Sequence, residues 1–285
     1  MASPVLIVGC GDLGGAVADL LSQQGCAVTG TRRGHGSVPD GVQLLRADVT
    51  DAASLARLAS VKPEILLYCV AADAQTDESY KSHYVDGLRN VLAVLMPLHI
   101  LRHVFFVSST RVYGQQTDGW LDEHTPAQPS DFGGLRLREA ESLLHTLDIP
   151  STILRLSGIY GPGRTRLLQL AQTPEAWPLR NSWTNRIHRD DAAAFITCCV
   201  IKADRGESLE SICLVTDSRP VPQYEVLKWL AAKQGVDVDA VQTPPVEGGK
   251  RLSNRRMLNS GISLRYPDYQ TGYGQLLALE TPFRR

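Results

Sequence analysis

A glycine-rich turn near the start of the chain constrains the fold most. The apolar run Val5-Leu6-Ile7-Val8 leads into Gly9-Cys10-Gly11-Asp12-Leu13-Gly14, and a helical pattern follows directly. This spacing suits a dinucleotide pyrophosphate, because Gly9 permits a tight turn, Gly11 lets the backbone approach the phosphates, and Gly14 allows close helix–strand packing. The helix N-terminus adds N–H groups and a positive dipole end. The alternative is a strand–turn–helix unit without a ligand. The predicted contacts to the dinucleotide are Gly9, Gly11, Asp12, Leu13 and Gly14.

Composition narrows the classes of function. The chain has 285 residues, a formal net charge of -1 and six cysteines. No basic stripe suggests nucleic acid, and no Cys-x-x-Cys or His-rich spacing suggests a metal site, so buried reduced thiols are expected. The N-terminus does not resemble a secretory signal, and no apolar run reaches the roughly 20 residues of a membrane span. We expect a cytoplasmic protein with no nucleic-acid, membrane or metal partner.

Strand-like and helix-like segments alternate through the first half of the chain. Strands are predicted at 5–8, 27–31, 43–46, 65–70, 104–107 and 152–156. Helices are predicted at 13–23, 54–59, 85–95 and 135–144, and further on near 191–201 and 224–233. Asp51 and Ser82 are the expected start signals of two helices. Apolar runs without strict alternation are typical of strands buried on both faces, which predicts an α/β fold with a Rossmann-type, doubly wound parallel sheet.

The pattern loosens after about Gly158, where proline and glycine become more frequent. We predict that residues 1–160 form an NAD(P)-binding Rossmann domain. Residues 161–285 would form a smaller C-terminal lobe on the substrate side, from which one segment could return to the sheet.

Residues after the second and third predicted strands bear on the choice of dinucleotide. Arg32 and Arg33 follow the second strand, where an acidic residue usually accepts from the ribose 2′-hydroxyl of NAD and an arginine accommodates the 2′-phosphate of NADP. NADP is therefore predicted, with NAD possible; two solvated arginines are the alternative. Asp48, followed by Val49, stands where a carboxylate could accept from the adenine amino group, although a turn role fits equally well.

Several later segments follow one another in the order of a known family. They are Asp48-Val49, Cys69-Val70-Ala71-Ala72, the stretch from Phe105 to Gly114 with Ser108 and Ser109, the stretch from Leu154 to Arg164, and Arg186-Ile187-His188-Arg189-Asp190-Asp191. Together with the glycine turn, they resemble the extended short-chain dehydrogenase/reductases, also called NAD-dependent epimerase/dehydratases, over nearly the whole chain. The resemblance implies cofactor contacts from Val70, Ala71, Ala72 and Ser108, a small-molecule substrate and a possible homodimer.

The catalytic residues of that family are only partly matched. A Ser/Thr, a Tyr and a Lys carry its chemistry, and Ser109 matches the serine. Phe132-Gly133-Gly134-Leu135-Arg136 stands where Tyr-x-x-x-Lys is expected, and an alignment anchored on Glu141 gives Gly133 and Leu137 instead. Neither alignment restores the pair. The resemblance therefore implies a catalytic site with Ser109 and Arg136, in which Arg136 also contacts the cofactor ribose and keeps positive charge near the ring.

Other residues could replace the missing acid. Tyr224 and Lys228 have the Tyr-x-x-x-Lys spacing, but on a helix of the second lobe whose neighbours look like packing residues. By resemblance, the titratable groups nearest the cleft are His188, Tyr113, Tyr160, Asp131 and His124. Each also fits a packing, capping or solvated role. Lys250-Arg251 and Arg255-Arg256 could hold a diphosphate or form a solvated basic face.

Two functions follow from these observations. The first is an NADP-linked epimerase/dehydratase-like oxidoreductase with a nonstandard proton donor, acting on a sugar-like or nucleotide-linked alcohol or carbonyl. Thr110 and Arg111 stand where 4,6-dehydratases carry Asp-Glu, which argues against that reaction, and Tyr84 stands where family members often have Asn. The second is a non-catalytic NADP(H)-binding sensor or regulatory module, which Phe132 and Arg136 would suit.

Overall fold

The computed structural model describes residues 3–34, 36–117 and 119–280, apart from the side chain of Glu280. The strands, in chain order, are β1 (Val5–Val8), β2 (Val28–Arg32), β3 (Gln43–Arg46), β4 (Ile65–Tyr68), β5 (His103–Ser109), β6 (Trp120–Leu121), β7 (Ser151–Leu156), β8 (Gly158–Tyr160), β9 (Asn181–Thr184), β10 (Arg186–His188), β11 (Ile212–Val215), β12 (Val221–Pro222), β13 (Val246–Gly249) and β14 (Arg251–Leu252).

Ten α-helices lie in the described residues. They are α1 (Asp12–Gln23), α2 (Ala52–Leu55), α3 (Asp77–Tyr80), α4 (Gly87–Leu95), α5 (Phe132–Leu144), α6 (Arg166–Ala171), α7 (Arg189–Asp204), α8 (Gln223–Lys233), α9 (Arg255–Asn259) and α10 (Tyr269–Glu280). A π-helical segment, Lys81–Asp86, joins α3 to α4, and short 3₁₀ turns occur at Ala56–Val61, Met96–Leu98, Thr110–Val112 and Pro174–Ala176.

A seven-stranded sheet in the order β11-β7-β5-β4-β1-β2-β3 confirms the predicted Rossmann-type α/β fold. The pairings of β1 with β2 and β4, of β2 with β3, and of β4 with β5 are all parallel. Every residue of β1 is at most 1% exposed, which explains its unbroken apolar sequence. The chain passes from one side of β1 to the other between β3 and β4. In open parallel sheets, such a reversal of strand order leaves a ligand-binding crevice at the carboxyl ends of the strands.

One of the two expected helix starts is confirmed, and the other is wrong. Asp51 precedes α2 and accepts a hydrogen bond from the Ala53 N–H at 3.0 Å. Ser82, by contrast, lies inside the π-helical segment, because the helical stretch begins earlier, after Thr76. The Thr76 hydroxyl accepts from the Ser79 N–H, and two acidic residues in the first turn favour a start there.

The described residues form two compact units, each built from three segments. The first contains the residues up to Gly114, Pro126–Arg155 and Ala192–Cys213; the second contains Gln115–Thr125, Leu156–Asp191 and the residues from Leu214 onward. Tyr224 and Leu227 of α8 lie in the hydrophobic core of the second unit, and Lys228 follows on the same helix. Within the described residues, no helix has the length and apolar character needed to cross a bilayer.

Candidate functional site

The glycine turn after β1 has the geometry that its sequence predicts. Gly9 has φ +94°, and a Cβ there would lie 2.4 Å from the carbonyl oxygen of Cys69. A Cβ on Gly14 would lie 2.3 Å from the carbonyl oxygen of Gly9, so α1 can pack this closely on the turn only without a side chain. A Cβ on Gly11 would meet no atom within 4 Å. The turn is thus closed towards the sheet, because added side-chain atoms at Gly9 and Gly14 would clash with backbone there. It is open at Gly11, because an added side-chain atom would meet no protein atom just before α1 begins with Asp12 and Leu13.

The two arginines after this turn have different surroundings. Arg32 ends β2, and its guanidinium donates to the carbonyl oxygen of Ser37 at 2.8 Å. Burial raises the pKa of the nearby Cys10 thiol, and the positive charge of Arg32 opposes that rise, which places this arginine near the glycine turn. Arg33 instead donates two hydrogen bonds to the carboxylate of Asp73. Asp48 accepts from the N–H and hydroxyl of Thr50, in the turn role that the sequence left open.

Three predicted cofactor residues, Val70, Ala71 and Ala72, lie in the loop after β4, one residue beyond its end. A backbone hydrogen bond links Ala72 to Tyr84, which lies in the π-helical segment. Burial nevertheless raises the pKa of Tyr84 to about 12, so this phenol keeps its proton at neutral pH. Val49, a predicted contact that follows β3, is 6% exposed. Its carbonyl oxygen accepts a hydrogen bond from the side-chain amide of Asn90.

A buried ionic network includes Ser108, the first of the two predicted serines, Ser108 and Ser109. The Ser108 hydroxyl donates to Oε1 of Glu141 at 2.7 Å. Arg155 donates to both oxygens of the same carboxylate, at 3.0 and 2.7 Å, and Arg138 donates to Oε2 at 2.7 Å. Burial alone would raise the pKa of Glu141, but hydrogen bonds and charge from Arg155 hold it below its usual value. This network was not predicted from the sequence, in which Glu141 served only to anchor an alignment.

The Arg111 side chain lies against Phe132 and Gly133, the two alternative positions of the family tyrosine. Its backbone N–H donates to the Ser109 hydroxyl oxygen at 3.2 Å. A Cβ on Gly133 would lie 2.4 Å from its guanidinium carbon, which also lies 4.9 Å from the centre of the Phe132 ring. The guanidinium donates to the Tyr80 hydroxyl at 2.8 Å. A phenol and a cation therefore do meet here, but they come from α3 and from the turn after β5.

Three predicted residues near this point are engaged with other groups. Asp131 caps α5 by accepting from the Gly134 N–H at 2.8 Å. Burial opposes its ionisation, but the Gly134 N–H and Arg111 lower the pKa of Asp131 below its ordinary value, so it is ionised at neutral pH. Arg136 donates two hydrogen bonds to Asp77 and one to Glu139. Tyr113 is fully buried, and its hydroxyl accepts from Arg155 at 2.6 Å.

In the second unit, the predicted acids Tyr160 and His188 are buried among other rings. The His188 ring centre lies 3.9 Å from that of Tyr266 and 5.2 Å from that of Tyr160. Burial lowers the pKa of His188 and raises that of Tyr160. His188 Nδ1 also accepts from the Asp190 N–H at 3.1 Å. These contacts match the packing and orienting roles rather than that of an accessible proton donor.

The basic residues predicted to hold a diphosphate are partly engaged. The Arg251 guanidinium lies 5.0 Å from the centre of the Trp183 ring and 5.6 Å from that of Trp120. Nη2 of Arg256 lies 3.1 Å from Nε2 of His124. Two residues that the sequence singled out therefore meet within the second unit. Trp120 is 57% exposed, so Arg251 lies beside a large exposed aromatic side chain.

Asp217, which sequence analysis did not single out, is a buried carboxyl group of the second unit. It is 1% exposed, and within the described residues neither its Oδ2 nor the Nη1 of Arg186 has a hydrogen-bond partner. Burial raises the pKa of Asp217 to about 7, and the charge of Arg186 offsets this only in part. Its burial was not visible in the sequence because it follows a strand within a polar loop.

This raised pKa predicts a pH dependence of stability. The unfolded pKa is about 3.9, so the contribution of Asp217 is full below that value and is lost as the pH rises through about 7. Asp217→Asn should therefore raise the free energy of unfolding by about 2–4 kcal/mol at about pH 8.5 and by less than about 1 kcal/mol at about pH 4. Urea unfolding at both pH values measures this. Asp239→Asn, at an exposed position, should show no such difference, and equal behaviour of the two variants would contradict the prediction.

The comparisons with known proteins agree with this fold. A model of the NAD dependent epimerase/dehydratase family matches residues 5–212. The chain therefore belongs to the NAD-dependent epimerase/dehydratase family, as the sequence resemblance predicted. Protein YeeZ of Escherichia coli K12 is 29% identical over 282 residues, covering 93% of this chain and 96% of YeeZ.

Solved structures extend the likeness over the whole chain. A structure from Methylobacillus flagellatus, described provisionally as an NAD-dependent epimerase/dehydratase, is 53% identical with a TM-score of 0.89, covering 98% of this chain and 99% of that one. The Bordetella bronchiseptica enzyme WbmG, solved with NAD and UDP, has a TM-score of 0.77, covering 98% of this chain and 94% of its own. At 18% identity, this second likeness concerns the fold alone.

Proposed function

We propose that this protein is an NADP-linked oxidoreductase or epimerase that acts on a sugar-like or nucleotide-linked alcohol or carbonyl. The glycine turn carries the proposal, because it closes against the sheet and opens above Gly11 at the start of α1. Family membership supports the nicotinamide dinucleotide, and relatives of the same fold solved with NAD and UDP motivate the nucleotide-linked substrate.

The residues present suit a dinucleotide. A helix start with open space above a glycine can receive a pyrophosphate through backbone N–H groups. Arg32 lies beside this turn, and within the described residues its guanidinium donates to the carbonyl oxygen of Ser37 rather than to a carboxylate, so its charge is available for a 2′-phosphate. When bound, the nicotinamide ring supplies or accepts a hydride. NADP is the preferred dinucleotide in this proposal, and NAD the weaker one.

The chain's own polar groups would handle the substrate proton. Ser109 would donate a hydrogen bond to the substrate oxygen, as its family counterpart does. The Tyr80 hydroxyl, 2.8 Å from a guanidinium nitrogen of Arg111, would act as the proton donor in place of the family tyrosine. Arg111 would keep its hydrogen bond to that hydroxyl oxygen as the proton leaves it. Arg111 would thus take the electrostatic role of the family lysine.

The non-catalytic sensor remains the second candidate. Phe132, Gly133 and Leu137 occupy the alternative positions of the catalytic tyrosine and lysine, and none of them can transfer a proton. A protein of this kind would bind NADP(H) without turnover.

One set of measurements separates these functions. Fluorescence titration should show tighter binding of NADPH than of NADH. Absorbance of the reduced nicotinamide should reveal turnover with one or more members of a panel of nucleotide sugars, aldehydes and ketones. Ser109→Ala should lower that turnover about 100-fold while retaining NADPH binding, since it removes a donor aimed at the reacting oxygen. Ser142→Ala, at an exposed position on α5, is the control. Binding without any turnover would favour the sensor, and failure to bind either dinucleotide would overturn both functions.

A further inference from the structure

Arg33 is held by a carboxylate from a different loop. It follows β2 directly, whereas Asp73 follows β4. Nη1 and Nη2 of Arg33 donate to the two carboxylate oxygens of Asp73, each at 2.5 Å. This two-pronged arrangement is the same one by which a guanidinium binds a phosphate. Asp73 therefore occupies the face of Arg33 that a phosphate would use.

Asp73 also lies close to a buried histidine. This residue, His83, belongs to the π-helical segment, and its Nε2 lies 3.2 Å from Oδ2 of Asp73. The His83 side chain is only 7% exposed, and its Nδ1 lies 2.8 Å from the carbonyl oxygen of Ser79. The hydrogen bond from Arg33 lowers the pKa of Asp73 to about 2, so the carboxylate is charged at neutral pH. Asp48 adds a second negative charge near Arg33.

The strand order places this ion pair across the glycine turn. In the sheet, β1 lies between β2 and β4, so a contact between the loops after β2 and β4 passes the carboxyl end of β1. The end of β2 is where dinucleotide-binding folds distinguish a ribose 2′-hydroxyl from a 2′-phosphate. The carboxylate of Asp73 thus stands at that position, although the residue following β2 is an arginine.

We infer that Asp73 is a selectivity-determining residue, which competes with the 2′-phosphate of NADP for Arg33 and so keeps the preference for NADP over NAD small. This inference rests on the proposed binding of a nicotinamide dinucleotide. A 2′-phosphate carries negative charge and must displace or overcome the carboxylate, whereas a 2′-hydroxyl is neutral and can hydrogen-bond beside it. Arg32 is left to attract the phosphate.

The test compares dissociation constants of NADPH and NADH for the wild type and Asp73→Asn at one fixed, low salt concentration, because exposed charges are screened by salt. The ratio of the NADH to the NADPH dissociation constant should rise about tenfold in the variant, since a negative charge is removed and Arg33 is freed. The NADH dissociation constant should change less than about threefold.

A second variant tests whether the effect passes through Arg33. In an Arg33→Gln background, Asp73→Asn should change the ratio less than about threefold, because the competition no longer exists. Glu64→Gln is the matched control: this glutamate precedes β4, pairs with Arg102 at 3.0 Å and should leave the ratio unchanged.

Two outcomes would overturn the inference while leaving dinucleotide binding intact. One is an unchanged ratio in Asp73→Asn, and the other is an equal loss of affinity for both dinucleotides, which would give Asp73 only a structural role. Failure of the wild type to bind either dinucleotide would instead overturn the proposed function, and this inference with it.

Discussion

Replacing Glu141 with alanine is expected to lower the free energy of unfolding by about 3–5 kcal/mol, the usual cost of removing one partner from a buried ion pair. The Glu141 side chain is fully buried and accepts hydrogen bonds from Arg155, Arg138 and Ser108. Arg155 is itself only 2% exposed, so the variant would leave a buried guanidinium without its carboxylate. Urea unfolding followed by circular dichroism measures the loss.

Glu139→Ala is the matched control for this prediction. It removes the same side chain from the same helix, and Glu139 also pairs with an arginine three residues away, Arg136, at 2.8 Å. That pair is partly exposed, so its loss should cost far less stability than the loss of Glu141. If the two variants lose equal stability, the network around Glu141 does not stabilise the fold as inferred.

Gly14→Ala is expected to weaken NADPH binding by about 100-fold or more, because the helix start must move away from the glycine turn to make room. The added Cβ would lie 2.3 Å from the Gly9 carbonyl oxygen, a backbone atom that cannot turn aside as a side chain can. A shift of α1 would misplace the N–H groups that are proposed to receive the pyrophosphate. Fluorescence titration of the variant and the wild type with NADPH measures the effect.

Gly15→Ala, one residue further on, provides the control. A Cβ there meets no atom within 4 Å, and the residue lies within α1. Alanine at this position should therefore leave NADPH binding unchanged and stabilise the helix by about 0.5–1 kcal/mol. Wild-type affinity in Gly14→Ala would refute the role of the glycine turn as the phosphate cradle.

The strands and the glycine turn were predictable because their signals are local. Predicted strand 5–8 agrees with β1 at both ends, and predicted strand 43–46 agrees with β3. Predicted strand 65–70 extends two residues beyond β4, into the loop that carries Val70. The helix start expected at Ser82 was wrong because two signals competed, and the capping threonine at position 76 was not recognised.

The surroundings of Phe132 were harder to predict. The sequence predicted that the tyrosine and lysine of the family motif are missing, with Phe132 and Arg136, or Gly133 and Leu137, at their positions. It contained no sign that Tyr80 would meet Arg111. These two residues are 31 positions apart, and their contact depends on how the helical stretch after β4 packs beside the turn after β5. The residues at the expected motif position carry no information about a phenol that another element supplies.

The sequence alone therefore determined the class of fold, the place of the glycine turn and the family, since apolar runs and glycine spacing act through neighbours in the chain. Only the tertiary structure decided which charges meet. Arg33 and Arg136 were both assigned to a cofactor, yet each pairs with an aspartate that follows β4, Asp73 and Asp77 respectively. A carboxylate pairs with the arginine that strand order and helix packing bring within reach, and those distances are set only when the whole chain has folded.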